Sequence, residues 1–286
     1  MSKILVTGGA GFVGTNLIIE LLKSEHYIVS IDDYSIGTKL NHQKGAKYIN
    51  GDINQIEELI DNDFDYCFHL AGLSRIQPSF EDPENTFKVN TQGTLKVLEW
   101  AKKNYTKVIY SGSSSKHHDP TISPYSMFKY LGEEICKLYK RSFDLNVEIV
   151  RFYNVYGPYE ITDGKWAALI GKWRGQIKDG KPLTIVGDGN QRRDFTHIID
   201  IVDGLIKIAF SNQTQHDAWE LGSGKNYSIN EVFEMFQRKF DVLANYIENQ
   251  KGNYKETLRE SNHAIDLLGW NPEDRLQDYI LNLKND

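Results

Sequence analysis

Cysteine occurs only at positions 67 and 136 of the 286-residue chain, and proline only seven times. Two cysteines cannot build a disulfide framework or a four-thiolate metal site, which points to a reducing, cytoplasmic setting. Nowhere does the sequence offer the roughly 18 to 20 consecutive apolar residues of a membrane-spanning helix. The opening Met1-Ser2-Lys3-Ile4-Leu5-Val6-Thr7-Gly8 reaches glycine too early for a secretory segment, so neither export nor a membrane partner is expected. An excess of positive charge is missing as well. The 33 Lys and Arg against 39 Asp and Glu leave a net charge of −6, which repels polyphosphate and argues against a nucleic-acid partner. Internal repeats and low-complexity tracts are absent too. What remains has the make-up of an ordinary globular chain, 40% hydrophobic and 25% charged, apolar enough to bury a core without staples.

In the first half, apolar runs of strand length alternate with longer stretches of helical period, the pattern of a parallel sheet with crossover helices. Residues 3–7, 27–31, 46–49, 65–70, 107–111 and 147–151 read as strands, and 12–23, 56–60, 84–103 and 124–143 as helices. The last helix opens on Pro124, at a favoured first helical position. The fold class is therefore α/β, a Rossmann-type doubly wound parallel sheet. After Arg151 single strands, helices and glycine-rich turns such as Val186-Gly187-Asp188-Gly189-Asn190 take over, which suggests a smaller α/β substrate lobe. The expected division is residues 1–152 for a dinucleotide-binding domain and 153–286 for the lobe, with an approximate boundary that the chain can cross back over.

Gly8-Gly9-Ala10-Gly11-Phe12-Val13-Gly14 follows a strand and opens a helix. Gly8 and Gly11 permit a tight turn and close approach to a pyrophosphate, Gly14 lets the helix pack on the sheet, and the helix start offers free N–H groups to the anion. Asp32 ends the second strand about 20 residues further on, where a carboxylate accepts hydrogen bonds from ribose hydroxyls. Asp32 with Asp33 would repel a 2′-phosphate, and no basic residue stands near before Lys39, so the expected cofactor is NAD.

Tyr125 and Lys129 stand four residues apart on one face of the 124–143 helix, a spacing that lets a phenol and an ammonium act on one substrate. A nearby cation stabilises the phenolate and makes Tyr125 a general base. The fifth strand ends in Ser111-Gly112-Ser113-Ser114-Ser115 at the carboxyl edge of the sheet, where ligands bind in such folds and where a serine can hold the reacting hydroxyl.

Together these residues resemble the extended short-chain dehydrogenase/reductase family, in its NAD-dependent nucleotide-sugar epimerase and dehydratase branch. The resemblance runs from Thr7–Gly14 through Asp32-Asp33, Gly51-Asp52-Ile53, His69-Leu70-Ala71-Gly72, Asn90-Thr91-Gln92-Gly93-Thr94, the serine cluster and Tyr125 with Lys129. It continues through Arg151–Pro158, Gly187-Asp188-Gly189, Arg193-Asp194-Phe195 and Leu268-Gly269-Trp270. It implies that Gly8, Gly11, Phe12, Val13, Gly14, Asp32, Asp33, Asp52, Ile53, Leu70, Ala71, Gly72, Asn90, Ser111, Tyr125, Lys129 and Phe152 meet the cofactor. It implies Ser113 as the hydroxyl partner of Tyr125, with Lys129 as the third catalytic residue. Ser74, Ser113, Tyr125, Asn154, Leu169, Thr184, Val186 and Arg193 would meet a nucleotide sugar, a UDP-hexose by the resemblance, with Asn154 and Arg193 on the diphosphate. A homodimer through the 84–103 and 124–143 helices is also implied.

Dehydratases of that branch place Asp-Glu after the serine, and decarboxylases a Glu; here Ser114-Ser115 follow. Without those carboxylates, reversible oxidation at C4 is the simplest reaction, and a 4-epimerase is the expectation. The alternatives are a dehydrogenase, reductase or dehydratase-like enzyme of the same family, and an NAD-binding regulatory protein. Two departures from the family pattern stand out. The segment between Ser113 and Tyr125 is short and carries Lys116-His117-His118-Asp119, with the two histidines expected in solvent. Gln250 stands where the family has a diphosphate-gripping arginine, with Lys251 as the candidate substitute and Thr257 as a small residue beside the sugar.

Overall fold

The structure is a computed structural model that describes residues 1–61 and 63–284. Its first half alternates strand and helix: β1 (Lys3–Thr7), α1 (Phe12–Leu22), β2 (Tyr27–Asp32), β3 (Ala46–Asn50), α2 (Ile56–Leu59), β4 (Tyr66–His69), α3 (Ile76–Glu81), α4 (Pro83–Phe87), α5 (Thr94–Asn104), β5 (Lys107–Ser113), α6 (Pro124–Ser142) and β6 (Val147–Phe152). The second half is less regular: β7 (Val155–Tyr156), α7 (Leu169–Lys178), β8 (Leu183–Val186), β9 (Arg192–Asp194), β10 (Thr196–His197), α8 (Ile198–Phe210), β11 (Trp219–Leu221), β12 (Asn226–Ser228), α9 (Ile229–Gln237), β13 (Ala244–Ile247), α10 (His263–Leu268) and α11 (Leu276–Leu281).

Seven strands form one sheet in the order β11-β6-β5-β4-β1-β2-β3, parallel throughout. Both faces are covered, so the strands are apolar runs rather than alternating ones: Ile4, Leu5 and Val6 are all buried. One face packs Leu5, Cys67 and Val108 against Val97 and Trp100 of α5 and Cys136 of α6. The other packs Ile4, Val6 and Phe68 against Leu17 and Ile18 of α1 and Ile201 and Leu205 of α8. A third cluster, with Trp173, Ile185, Phe236 and Ile280, unites α7, α9, α11 and β8. Sequence reading finds six of the seven strands. The seventh, β11, comes from beyond residue 152 and pairs with β6, and α8 returns with it to cover the sheet.

The single helix expected over 84–103 is interrupted. Between α4 and α5 the backbone widens into a six-residue π-type turn, Lys88–Gly93, with the local spacing that such bulges introduce. The widened turn carries Asn90 inward, where both ends of its amide bond the backbone of Leu73 in the loop after β4. Helix α6 starts as its sequence requires. The Ser123 hydroxyl accepts from the Ser126 N–H at 3.1 Å, and Pro124 follows at the first helical position.

Candidate active site

A cleft of about 690 Å³ runs along the carboxyl edge of the sheet, within the size range of small-molecule sites. One end is built from the glycine turn. Gly8 has φ +72°, and a Cβ there would stand 2.8 Å from the Ala71 nitrogen, so the turn closes only with glycine. Asp32, 7% exposed, accepts from the Ala10 N–H and the Tyr34 N–H, both at 2.9 Å. Burial pushes its pKa up, and those two backbone bonds work against the shift. Each oxygen keeps lone-pair capacity for a ligand hydroxyl. Asp52 caps the turn after β3 by accepting from the Asn54 N–H, and pairs with Lys88 at 3.0 Å. Burial raises its pKa, but the bonds from Asn54 and the Lys88 charge outweigh it and leave the carboxyl below its usual range. The cradle of N–H groups and the buried acceptor at the end of β2 fit a dinucleotide.

At the middle of the cleft β5 and α6 meet. The Tyr125 hydroxyl lies 3.1 Å from Ser113 Oγ, and the Tyr125 backbone is tied to Ser79 Oγ at 3.0 Å. Ser113 Oγ accepts from the Ser115 N–H at 3.2 Å and from the Ser115 hydroxyl at 2.9 Å. With both lone pairs taken, Ser113 has its own proton left to donate toward the phenolic oxygen, which favours the phenolate. One turn along α6, the Lys129 ammonium donates to the Ser111 carbonyl and lies 4.5 Å from the centre of the Tyr110 ring. Burial lowers its pKa to about 8. Burial raises the Tyr125 pKa, opposed by the Ser113 hydrogen bond and then by the positive charge of Arg75.

Another turn along, Glu133 accepts from the Ser113 N–H at 3.1 Å and so holds the end of β5 from behind. Its other oxygen takes two bonds from Arg151, at 2.9 and 3.1 Å. Arg151 is shared with Asp217 at 2.8 Å and Glu220 at 3.4 Å. His117 joins the same network instead of lying in solvent. Its Nε2 is 2.5 Å from Glu220 and its Nδ1 3.1 Å from Glu260, and the Glu220 hydrogen bond raises its pKa against desolvation by burial. His118 stacks on Tyr254 with ring centres 4.0 Å apart. The shortened loop is therefore anchored rather than open.

The far end of the cleft is walled by the second half. Asn154, at φ +30°, is held in a sparsely populated conformation by bonds from its amide nitrogen to the Asp194 carbonyl and Thr257 Oγ1, both 3.0 Å. Burial lowers the Arg193 pKa to about 10, and among the described residues its guanidinium bonds only the Arg192 carbonyl, at 2.8 Å. Leu169, Thr184 and Val186 line the same wall, although the Thr184 hydroxyl is engaged by Gln176 at 2.7 Å.

The residues singled out from the sequence thus converge. Gly8, Gly11, Phe12, Val13, Gly14, Asp32, Asp33, Asp52, Ile53, Leu70, Ala71, Gly72, Ser74, Ser111, Ser113, Tyr125, Lys129, Phe152, Asn154, Leu169, Thr184, Val186 and Arg193 all line the cleft. Asn90 is the exception: it is 2% exposed, is not on the cleft wall, and bonds the Leu73 backbone with both ends of its amide, which shapes the loop after β4. Gln250 and Asn253 face the cleft, whereas Lys251 is not on its wall. Arg75 and Glu160 also line the cleft, and no local spacing marks either one. Burial raises the Glu160 pKa to about 7, although Arg174 at 3.0 Å opposes the shift, and its Oε2 is buried without a hydrogen-bond partner.

Residues 4–222 match the model of the NAD dependent epimerase/dehydratase family. A putative UDP-glucose 4-epimerase of Methanocaldococcus jannaschii is 30% identical, over 99% of this chain and 97% of that protein. A UDP-glucuronate 4-epimerase of Thermodesulfobacterium geofontis is 32% identical, over 96% and 92%. The structure of a UDP-glucose 4-epimerase from Thermotoga maritima with UDP-glucose superposes with a TM-score of 0.88 at 25% identity, covering 98% of this chain and 96% of that one. With the glycine turn, the buried Asp32 and the Ser113–Tyr125 pair in one cleft, the chain belongs to the NAD-dependent epimerase/dehydratase family.

Proposed function

We propose that the chain is a nucleotide-sugar 4-epimerase that works with bound NAD. The observation that carries this reading is the Ser113–Tyr125 pair at 3.1 Å in the same cleft as the glycine turn, followed by Ser114 and Ser115 where elimination chemistry needs carboxylates. NAD supplies a reversible hydride acceptor when bound, with its diphosphate at Gly8–Gly14 and its adenosine ribose at Asp32. Tyr125 takes the proton from the sugar hydroxyl and later returns it. Ser113, its lone pairs held by Ser115, donates to the phenolate, and Lys129 keeps positive charge within the site. Arg193 holds the substrate diphosphate as a tether about which the oxidised sugar turns, while Asn154, its amide hydrogens bonded to Asp194 and Thr257, shapes the wall beside it. Assembly as a homodimer through α5 and α6 is supported by the exposed Leu95 and Leu138 on those helices, and a cytoplasmic setting by the two buried free cysteines.

The test incubates the protein with a panel of nucleotide sugars and follows both the product epimers and absorbance of reduced cofactor. Epimer formation without net cofactor reduction is expected, and Tyr125→Phe should slow it by about 10²-fold or more, as loss of a general base does. Stoichiometric consumption or release of reduced cofactor would replace this reading by a reductase or dehydrogenase. Unchanged turnover in Tyr125→Phe would remove Tyr125 from the chemistry.

A further inference from the structure

Arg75, in the loop between β4 and α3, faces the cleft beside Tyr125. Its Nε donates to the Trp166 carbonyl and its Nη1 to the Ser74 carbonyl, both at 2.9 Å. These bonds fix the plane of the guanidinium across two segments of the cleft wall, but carbonyl oxygens carry no counter-charge. None of the acidic residues on that wall is ion-paired with Arg75 among the described residues. Asp32, Asp33 and Asp52 belong to the dinucleotide end, Glu81 pairs with Lys165 at 2.9 Å, and Glu160 pairs with Arg174 at 3.0 Å. Arg193 is held in the same manner, by a carbonyl alone.

The cleft therefore presents two guanidiniums without an acidic partner among the described residues. On the reading proposed above, the substrate diphosphate matches one of them, Arg193. The other stands beside Tyr125 rather than at the tether, and a half-buried cation there without a bonded carboxylate suits an anion. We propose that Arg75 binds a carboxylate carried by the sugar, so that nucleotide hexuronates rather than neutral nucleotide hexoses are the substrates. A rigid planar fork with its orientation already set matches a planar carboxylate better than a neutral hydroxymethyl group. Burial also lowers the Arg75 pKa, the response of a cation that lacks a close counter-ion, with Tyr125 and Glu160 only partly opposing it.

The experiment compares kcat/KM for UDP-glucuronate and UDP-glucose with the full-length, NAD-loaded protein. A preference for UDP-glucuronate of about 10-fold to 100-fold is expected, the range for a hydrogen bond to a charged group. Arg75→Gln should collapse that ratio toward unity, and Arg75→Lys should retain part of it. Equal or better use of UDP-glucose by the native protein overturns the inference. So does an Arg75→Gln variant that slows both substrates by the same factor, since Arg75 would then act only through Tyr125. If neither compound turns over, binding of both is measured on Tyr125→Phe and on Tyr125→Phe with Arg75→Gln. A preference for UDP-glucuronate that disappears with Arg75 supports the carboxylate site even as the epimerase reading fails; no preference overturns the site whatever the reaction. Thermal melting of each variant separates these results from loss of the fold.

Discussion

Arginine is treated in opposite ways on the two sides of Ser113. Behind it, Arg151 is 2% exposed and shared among Glu133, Asp217 and Glu220, so the buried charge is cancelled several times over. In front of it, Arg75 and Arg193 are positioned by carbonyl oxygens and left with their charge. The rear network raises the Arg151 pKa, chiefly through Glu133 acting against desolvation, while the front residues are lowered by desolvation. The difference separates a charge spent on holding the fold from a charge reserved for a ligand.

The largest effect should come from breaking the rear network. Arg151→Met leaves Glu133 and Glu220 buried without their cation, which costs about 3–5 kcal/mol of folding stability. Urea denaturation monitored by circular dichroism should show the midpoint moving down; an unchanged midpoint would mean that the network is not structural. In front of Ser113 the expected result is reversed. Arg193→Ala should leave the urea midpoint nearly in place and weaken nucleotide-sugar binding by about 1.5–3 kcal/mol, read by titration calorimetry. A variant that instead melts early would erase the distinction between the two sides.

The smallest effect sharpens the comparison at its edge. His117 faces Glu220, Glu260 and Arg151, with His118 beside it, and its pKa is raised in the folded protein by Glu220. A group whose folded pKa lies above its unfolded value stabilises fully below the unfolded value, near 6.5 for histidine, and loses that contribution as pH rises through the folded value. The stability difference between the native protein and His117→Gln should therefore shrink from pH 6 toward alkaline pH. A difference that is flat or grows over that interval would show that the imidazolium is not what ties the loop down.

Local spacing explains how much of this was legible. The glycine turn, Asp32 and the Tyr125–Lys129 pair each declare themselves within one turn or one strand–helix unit, and all reach the cleft. Glu133 continues the same helical face, two turns beyond Tyr125, but its role depends on Arg151 from a different strand. Arg75 takes its orientation from Trp166, 91 residues away, and His117 finds Glu220 at a separation of 103, distances over which no periodicity speaks. Strand β11 is only three residues long, too short for a recognisable pattern. The interruption before α5 is similar, because Lys88–Gly93 reads as ordinary helix until Leu73 supplies partners for Asn90.

Strand β11 has a consequence for how the molecule is made. Six strands of the main sheet lie within the first 152 residues, yet the outer edge of β6 stays open until Trp219–Leu221 emerges. Between emergence of β6 and emergence of β11 the nascent chain exposes a bare sheet margin, the kind of surface on which incomplete proteins associate. Arg151 must also wait for Asp217 and Glu220. Emergence of residue 221 is thus the point at which the nucleotide-binding half can first close on itself.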